Sequence, residues 1–196
     1  MTKLIVISNE FDFKNEINQI HALFDAGLEL FHLRKPLWNS ERQVSFLKNF
    51  KTDELKKFSL HQFHETAMQL GINKFHYKET DRLTNPDAIA KSKGIKSTSF
   101  HDINTMEKEI NNFDYCFISP VFKSISKINH TSIIDSEYKV AKNMKSKVFA
   151  LGGINESRIP IAFERGFYGV AVLGAIWMGE SSPVNNFKKL ISLCSN

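Results

Sequence analysis

Cysteine is scarce in this chain, and long apolar runs are missing. The 196 residues hold two cysteines, Cys116 and Cys194, at a spacing that is typical of neither a zinc site nor a disulfide framework. The longest apolar stretch, residues 167–178, falls short of the roughly 20 residues that a membrane helix requires. The start of the chain turns acidic too early for a signal peptide. We therefore expect a protein of the reducing cytoplasm with no membrane partner.

Charge of neither sign dominates. The chain has 26 lysines and arginines against 21 aspartates and glutamates, a net charge of +5, and 42% of its residues are hydrophobic. This composition excludes a disordered or fibrous protein and predicts one globular domain over residues 1–196. The positive excess favours anionic partners, either phosphorylated metabolites or nucleic acid. Because no nucleic-acid-binding motif occurs, we expect small phosphorylated molecules.

Short runs of branched and aromatic residues alternate with segments of helical periodicity. The runs predict strands at residues 4–8, 28–33, 58–61, 74–77, 115–119, 148–151 and 168–173. Apolar residues at i, i+3 and i+7 predict helices through Ile17, Ile20 and Phe24, through Ile103, Met106 and Ile110, and through Val184, Phe187 and Ile191. Ser40 with Gln43 predicts a capping box, and Ser182-Pro183 predicts a helix start.

A weak internal repeat is more informative than any single element. At Gly27, Gly71 and Gly166 a helix closes on glycine and leads directly into a strand. The distances between these glycines fit two and four repeats of a strand–helix unit of about 22 to 24 residues, so that the chain holds eight units. The repeat predicts the α/β class and a compact (β/α)8 TIM barrel. A doubly wound open sheet, which needs fewer and longer units, is the alternative.

In such a barrel the active site lies where the strands end, and the residues predicted there are cationic, hydroxylic or glycine. They are Arg34 and Lys35 after the second strand, Glu79 and Asp81 after the fourth, Ser97, Ser99 and His101 after the fifth, Lys123, Ser124, Ser126 and Lys127 after the sixth, and Gly152, Gly153 and Gly174 after the last two. Glycines in those last positions are typical of a phosphate site made of backbone N–H groups. Plain turns, and a solvated pair at Arg34 and Lys35, are the alternatives.

Histidines and carboxylates offer three further possibilities. His101 could exchange a proton near neutral pH, or it could be structural. His61 and His64 lie three residues apart, but without a clear third ligand we favour a structural role over metal ligation. Glu79 and Asp81 could bind Mg²⁺ through oxygen ligands or form an exposed acidic turn.

Six segments keep the order and spacing of one known family. They are His32-Leu33-Arg34-Lys35, residues 74–81 ending in Asp81, residues 97–101, residues 114–127 with Ser119-Pro120, residues 150–154 and residues 169–176. Together they resemble the thiamine phosphate synthases and their relative, the TenI thiazole tautomerase, from residue 4 to about residue 176. The resemblance implies a TIM barrel that binds a thiazole phosphate at Gly153 and Gly174, with Leu173 lining the site.

The resemblance also implies a reaction and a set of roles. In the synthase, a pyrimidine pyrophosphate loses pyrophosphate with the help of Mg²⁺, and the thiazole nitrogen captures the carbocation. Arg34, Lys127 and His101 would be the catalytic residues, and Asp81 the metal ligand. The residues implied in substrate binding are His32, Lys35, Ser99, Ser124, Ser126, Gly153, Leu173 and Gly174.

The chain departs from the synthase pattern at two places. His61-Gln62 stands where the family has asparagine and aspartate, so one of two expected metal carboxylates is missing, and Pro36 stands where a lysine would follow Arg34 by two. A TenI-like tautomerase needs no pyrophosphate site and relies on proton transfer, a role that His101 could fill. That tautomerase is the first alternative, and a noncatalytic phosphate-binding relative is the second. Whether the chain forms a homo-oligomer stays open.

Overall fold

Eight parallel strands close into a barrel. The structure, a computed structural model, describes residues 2–122, 134–135, 137–144, 147–179 and 181–194. The strands are β1 (Leu4–Ile7), β2 (Phe31–Leu33), β3 (Phe58–Leu60), β4 (Lys74–Tyr77), β5 (Ile95–Phe100), β6 (Tyr115–Ile118), β7 (Val148–Leu151) and β8 (Gly169–Val172). Each strand pairs with the next, and β8 pairs with β1. The predicted (β/α)8 barrel is therefore confirmed, and the open sheet is excluded.

Helices on the outside of the barrel connect the strands, except between β6 and β7, where the described residues contain no helix. They are α1 (Glu16–Asp25), α2 (Ser40–Leu47), α3 (Thr52–Leu55), α4 (His64–Gln69), α5 (Glu79–Thr84), α6 (Pro86–Lys91), α7 (Ile103–Glu109), α8 (Ile159–Glu164), α9 (Gly174–Trp177) and α10 (Pro183–Ser192), and a 3₁₀ turn at Ile110–Asn112 follows α7. Among the residues described, no helix has the length and apolar character needed to cross a membrane.

The glycines of the internal repeat end helices α1, α4 and α8. Each has a positive φ, 99° at Gly27, 79° at Gly71 and 82° at Gly166. The N–H of the residue after each glycine donates to the carbonyl five residues earlier, as Leu28 does to Leu23 at 3.0 Å. This is the Schellman arrangement, in which a left-handed residue satisfies the last carbonyls of a helix. The repeat seen in the sequence is thus a real structural repeat.

The two predicted helix starts have different outcomes. Pro183 opens α10, and the Ser182 hydroxyl accepts a hydrogen bond from the Asn185 N–H at 3.3 Å, which confirms that prediction. The capping role predicted for Ser40 is wrong by one residue. Asn39 is the cap and accepts from the Arg42 N–H at 2.9 Å, because asparagine caps a helix at least as well as serine.

Apolar side chains pack on both faces of the strands. Outward-facing residues such as Leu4, Phe31 and Phe58 are buried under the helices. The inward-facing residues of β1 and β6–β8 are also apolar and fill the interior, namely Ile5, Ile7, Phe117, Phe149 and Ala171. Most polar side chains of the interior come from β2 to β5, and β6 adds the Tyr115 hydroxyl, so one side of the barrel interior is hydrophilic.

The search for runs of branched and aromatic residues in the sequence did not find strand β5. Ser97 and Ser99 were predicted to follow the fifth strand, and this is wrong, since both lie within Ile95–Phe100. Their hydroxyls face the interior and bond to His76, while Phe100 packs outward with the main core. The strand has only two apolar residues, Ile95 and Phe100, one at each end, so it contains no apolar run.

Candidate active site

Polar side chains gather at the mouth, the end of the barrel formed by the carboxyl ends of the strands and the loops after them. Arg34 follows β2, His61 follows β3, and His101 follows β5. Arg34, Gly153, Leu173 and Gly174 are partly exposed there, and His101 is exposed. Because all strands run in parallel, loops that are far apart in sequence meet at this one end.

Three histidines form a buried network just inside the mouth. The Nδ1 atom of His32 lies 3.0 Å from Nε2 of His61, and the His61 and His76 rings stack with centroids 4.1 Å apart. His32 Nε2 lies 2.7 Å from the hydroxyl oxygen of Tyr115. His76 places its two ring nitrogens 2.9 Å from the Ser97 hydroxyl and 3.0 Å from the Ser99 hydroxyl. Two predicted substrate-binding residues, His32 and Ser99, thus belong to one network.

Burial keeps these imidazoles neutral. Desolvation lowers the pKa of His76 from 6.5 to about 3. The same cause, followed by the charge of a protonated His76, holds the pKa values of His32 and His61 well below 6.5. Desolvation also raises the pKa of Tyr115 to about 12, so that its hydroxyl stays protonated. Each ring therefore has one N–H and one lone pair at neutral pH, and the hydrogen bonds of the network use both kinds of nitrogen.

Arg34 and Lys35 are neighbours in sequence but point to different places. The Arg34 guanidinium forms an ion pair with Glu10, and both side chains are partly exposed. The Lys35 ammonium is fully buried, 2.7 Å from a Glu16 carboxylate oxygen and 2.8 Å from the Phe11 carbonyl oxygen. Successive residues at a strand end face opposite sides of the sheet. Arg34 thus lies partly exposed at the mouth in its ion pair with Glu10, whereas the Lys35 amine is buried among its protein partners.

Gln62 joins two loops of the mouth. Its Nε2 amide donates to the Lys35 carbonyl at 2.7 Å and to the Trp38 carbonyl at 3.3 Å. An ionised aspartate could make neither bond, because a carboxylate only accepts hydrogen bonds. The departure from the family pattern at this position therefore has a structural function, since the amide connects the loop after β3 to the loop after β2.

The acidic pair after β4 belongs to the start of α5. One Asp81 carboxylate oxygen accepts a hydrogen bond from the Lys78 N–H at 3.0 Å, and the side chain is partly exposed. Glu79 is more exposed and lies 3.5 Å from the Arg82 guanidinium, which also pairs with Glu109 at 2.5 Å. Asp81 thus keeps its second oxygen for another partner, while Glu79 lies beside a cation.

The glycine loops after β7 and β8 differ in how much space they leave. A Cβ atom built on Gly152 would lie 2.8 Å from the Pro120 Cα, so this glycine allows the loop to pack against the exit of β6. Gly153 has a φ of 65°, and its carbonyl accepts from Arg158 at 2.6 Å. Among the described residues, a Cβ on Gly174 would meet only the Met178 sulfur, at 3.5 Å, which is an ordinary contact.

His101 stands at the rim of the mouth. Its Nδ1 lies 2.7 Å from the Ser119 carbonyl oxygen, which can only accept, so Nδ1 carries the hydrogen. That tautomer leaves a lone pair on Nε2. The remaining predicted site residues, Ser124, Ser126 and Lys127, lie outside the described residues, as does Lys123.

Sequence reasoning missed the participation of His76 and Tyr115 and the pairing of Lys35 with Glu16. An imidazole at an inward position of β4 was visible in Lys-Phe-His-Tyr, where His76 alternates with apolar neighbours. The contact of His32 with Tyr115 joins residues 83 positions apart, across the barrel, so that only the closed fold brings them together.

A closed parallel barrel with polar side chains gathered at the carboxyl ends of its strands belongs to the (β/α)8 class, in which that end carries the active site. The sequence profile described as thiamine monophosphate synthase matches residues 4–176. The chain therefore belongs to the thiamine monophosphate synthase family.

Individual relatives agree with this assignment. The thiamine-phosphate synthase of Lysinibacillus sphaericus is 30% identical over 137 residues, 64% of this chain and 62% of that protein's length. The crystal structure of a thiamine phosphate pyrophosphorylase from Bacteroides thetaiotaomicron is 27% identical, with a TM-score of 0.76 over 98% of this chain and 97% of the other. A thiamine phosphate pyrophosphorylase from Pyrococcus furiosus, 16% identical, shares the fold with a TM-score of 0.71 over 98% of this chain and 95% of its own.

Proposed function

We propose that this chain is a thiamine phosphate synthase, a transferase of thiamin biosynthesis that joins hydroxymethylpyrimidine pyrophosphate to thiazole phosphate and releases pyrophosphate. The family match over residues 4–176 carries the proposal. The positions of Arg34, Gly153 and Gly174 at strand ends around one mouth support it. Nothing in the comparisons favours the TenI-like tautomerase over the synthase.

The thiazole phosphate would bind at the loops of Gly153 and Gly174. Backbone N–H groups can approach an anion closely where no side chain intervenes. The space at Gly174, where a Cβ would meet only the Met178 sulfur, supports this role. Leu173, partly exposed beside it, would contact the thiazole ring.

Arg34 would bind the pyrophosphate of the other substrate. The bond from the pyrimidine methylene carbon to the pyrophosphate oxygen breaks, its electron pair leaves with pyrophosphate, and the thiazole nitrogen lone pair forms the new C–N bond. A guanidinium beside the departing oxygen offsets the charge that develops there. Lys127 and the hydroxyls of Ser99, Ser124 and Ser126 would complete the anion site.

Mg²⁺ fits this site through Asp81. One oxygen of that carboxylate caps α5 and the other is left for a ligand. Mg²⁺ is often held by one or two carboxylates together with substrate phosphates and waters, so a single aspartate suffices where Gln62 replaces a second acid. When bound, the ion would neutralise part of the pyrophosphate charge.

The decisive assay measures pyrophosphate release from the full chain with both substrates and Mg²⁺. We expect Arg34→Gln to lower kcat/KM on the order of 10²-fold, because a charge-stabilising donor is lost. Arg42→Gln is the control, since Arg42 is an exposed arginine that also pairs with a carboxylate, that of Asp12. No pyrophosphate release by the wild type, or equal losses in the two variants, would refute the proposal.

A further inference from the structure

The three interior histidines are arranged as a set of metal ligands. Each of His32, His61 and His76 offers one ring nitrogen, and these atoms lie within 4.8 Å of one another. Among the described residues, no carboxylate or thiolate joins the cluster. His32 lies on β2, His61 directly follows β3, and His76 lies on β4, so the three come from neighbouring strands. Strands β1 and β6–β8 supply apolar side chains to the same interior, namely Ile5, Ile7, Phe117, Phe149 and Ala171.

We propose that His32, His61 and His76 bind one divalent transition-metal ion of the Zn²⁺ or Co²⁺ class and leave a fourth coordination position toward the mouth. Three imidazoles with one open position form a common tetrahedral site for such ions. Mg²⁺ and Ca²⁺ prefer oxygen ligands, so this donor set selects against them. The site is independent of the proposed synthase activity and of Asp81.

Hydroxyl groups lie within hydrogen-bond distance of ring nitrogens of His32 and His76. Metal-bound histidines usually donate their other N–H to a neighbouring acceptor, which fixes the ring and its tautomer. If His32 binds through Nδ1, its Nε2–H donates to the Tyr115 oxygen at 2.7 Å. If His76 binds through either nitrogen, the other donates to Ser97 or Ser99, at 2.9 or 3.0 Å.

The surrounding charges permit a cation. Arg34 is near enough to lower the pKa values of His61 and His76, but its guanidinium is paired with the Glu10 carboxylate. That pairing reduces the repulsion between Arg34 and a bound ion. Entry is from the mouth, because His61 directly follows β3 and retains 5% exposure, while Ser99 beside His76 is partly exposed.

A Co²⁺ titration of the chelator-treated full chain, without substrates, tests the site. Tetrahedral Co²⁺ absorbs visible light much more strongly than octahedral Co²⁺, so the spectrum reports both binding and geometry. We expect one equivalent to bind tetrahedrally and the affinity to fall at least about 100-fold in His61→Asn and in His76→Asn. His21→Gln, which removes an imidazole on α1 outside the barrel, should bind as the wild type does. Tyr115→Phe should weaken binding about tenfold.

Two outcomes of that titration would overturn the proposal: no stoichiometric tetrahedral binding by the wild type, or equal loss in His21→Gln and the cluster variants. Anomalous scattering from a wild-type crystal soaked in Zn²⁺ gives a test that needs no variant. A peak among the three imidazoles is expected, and peaks confined to the surface would refute the site. Because neither experiment measures turnover, a failure of the metal site is distinguishable from a failure of the synthase proposal, which shows as absent pyrophosphate release.

Discussion

At the scale of the residue, Arg34 and Lys35 are consecutive in sequence, but Arg34 is partly exposed at the mouth and Lys35 is buried. Lys35 is 1% exposed, and its ammonium pairs with Glu16 under the loop that contains Phe11. Desolvation determines how much this ion pair matters for stability, because a buried charge that loses its partner has neither water nor a counter-ion to stabilise it.

Lys35→Ala should therefore destabilise the fold by about 3–5 kcal/mol, because it leaves Glu16 buried and unpaired. The double variant Lys35→Met/Glu16→Leu should recover most of that loss, since apolar residues of similar volume often replace a buried pair without cost. Urea unfolding measures both. Equal losses in the single and double variants would contradict this account. Thiazole phosphate binding by the double variant then tests whether Lys35 also contacts substrate.

His101 separates the two enzyme hypotheses. In a tautomerase the His101 ring exchanges a proton with the substrate, so His101→Asn should lower kcat on the order of 10²- to 10⁴-fold. In a synthase, cations offset the charge of the leaving group as it departs. His101→Asn should then lower kcat less than tenfold. Turnover of each substrate set by the wild type and by this variant decides the matter. Its Nδ1 contact with the Ser119 carbonyl leaves Nε2 to act in either case.

At the scale of the element, the loops after β7 and β8 use glycine for opposite reasons. Gly152 has a φ of 92° and no space for a Cβ beside Pro120, so its role is packing. Gly174 begins α9 and has space for a Cβ, so its role in the proposal is to leave room for an anion.

Gly174→Ala should leave the thermal unfolding temperature nearly unchanged and weaken thiazole phosphate binding, because a methyl group then occupies part of the anion's space. We expect roughly a tenfold loss in calorimetry, about 1.4 kcal/mol. Gly152→Ala is the complementary variant and should lower the unfolding temperature, since its Cβ would lie 2.8 Å from backbone. Unchanged affinity in Gly174→Ala would remove the phosphate role from this glycine.

The elements also show what could be predicted from sequence. Helix ends at Gly27, Gly71 and Gly166 follow from local chemistry, because few other residues tolerate a positive φ at the end of a helix. Strand β5 could not be found by its apolar content, because two of its inward positions hold serines, Ser97 and Ser99, whose hydroxyls bond to His76 on the neighbouring strand. Prediction from local sequence patterns fails where a residue type depends on a contact with a residue that is distant in sequence.

At the scale of the whole molecule, the repeat of strand–helix units was sufficient to predict the barrel, but the contents of its interior were not. His61 and His64 looked like an incomplete metal pair in sequence, and we favoured a structural role. The pairing of β2 with β3 and of β3 with β4 groups His61 with His32 and His76, while a ring nitrogen of His64 lies 3.0 Å from the Leu60 carbonyl oxygen. The register between three strands determines which histidines lie together, and this register cannot be predicted from any one segment of the sequence.

The buried histidines should make the stability of the metal-free chain depend on pH. In the unfolded chain each ring has the ordinary pKa of 6.5, whereas burial keeps the folded pKa of His76 at about 3 and those of His32 and His61 well below 6.5. His64 is shifted in the same direction by burial. Below pH 6.5 the unfolded state therefore binds more protons than the folded state, and the free energy of unfolding falls as the pH falls.

We expect the stability to be constant above about pH 7.5 and to decline from there toward pH 5.5, a window that lies above the usual carboxyl range. Each histidine that is charged when unfolded and neutral when folded contributes up to about 1.4 kcal/mol per pH unit. Urea unfolding in the presence of chelator measures how steeply the free energy of unfolding depends on pH. His76→Gln should reduce this slope by up to the contribution of one histidine. Stability that is flat between pH 7.5 and 5.5, or a slope unchanged in His76→Gln, would mean that the imidazoles are protonated inside the barrel.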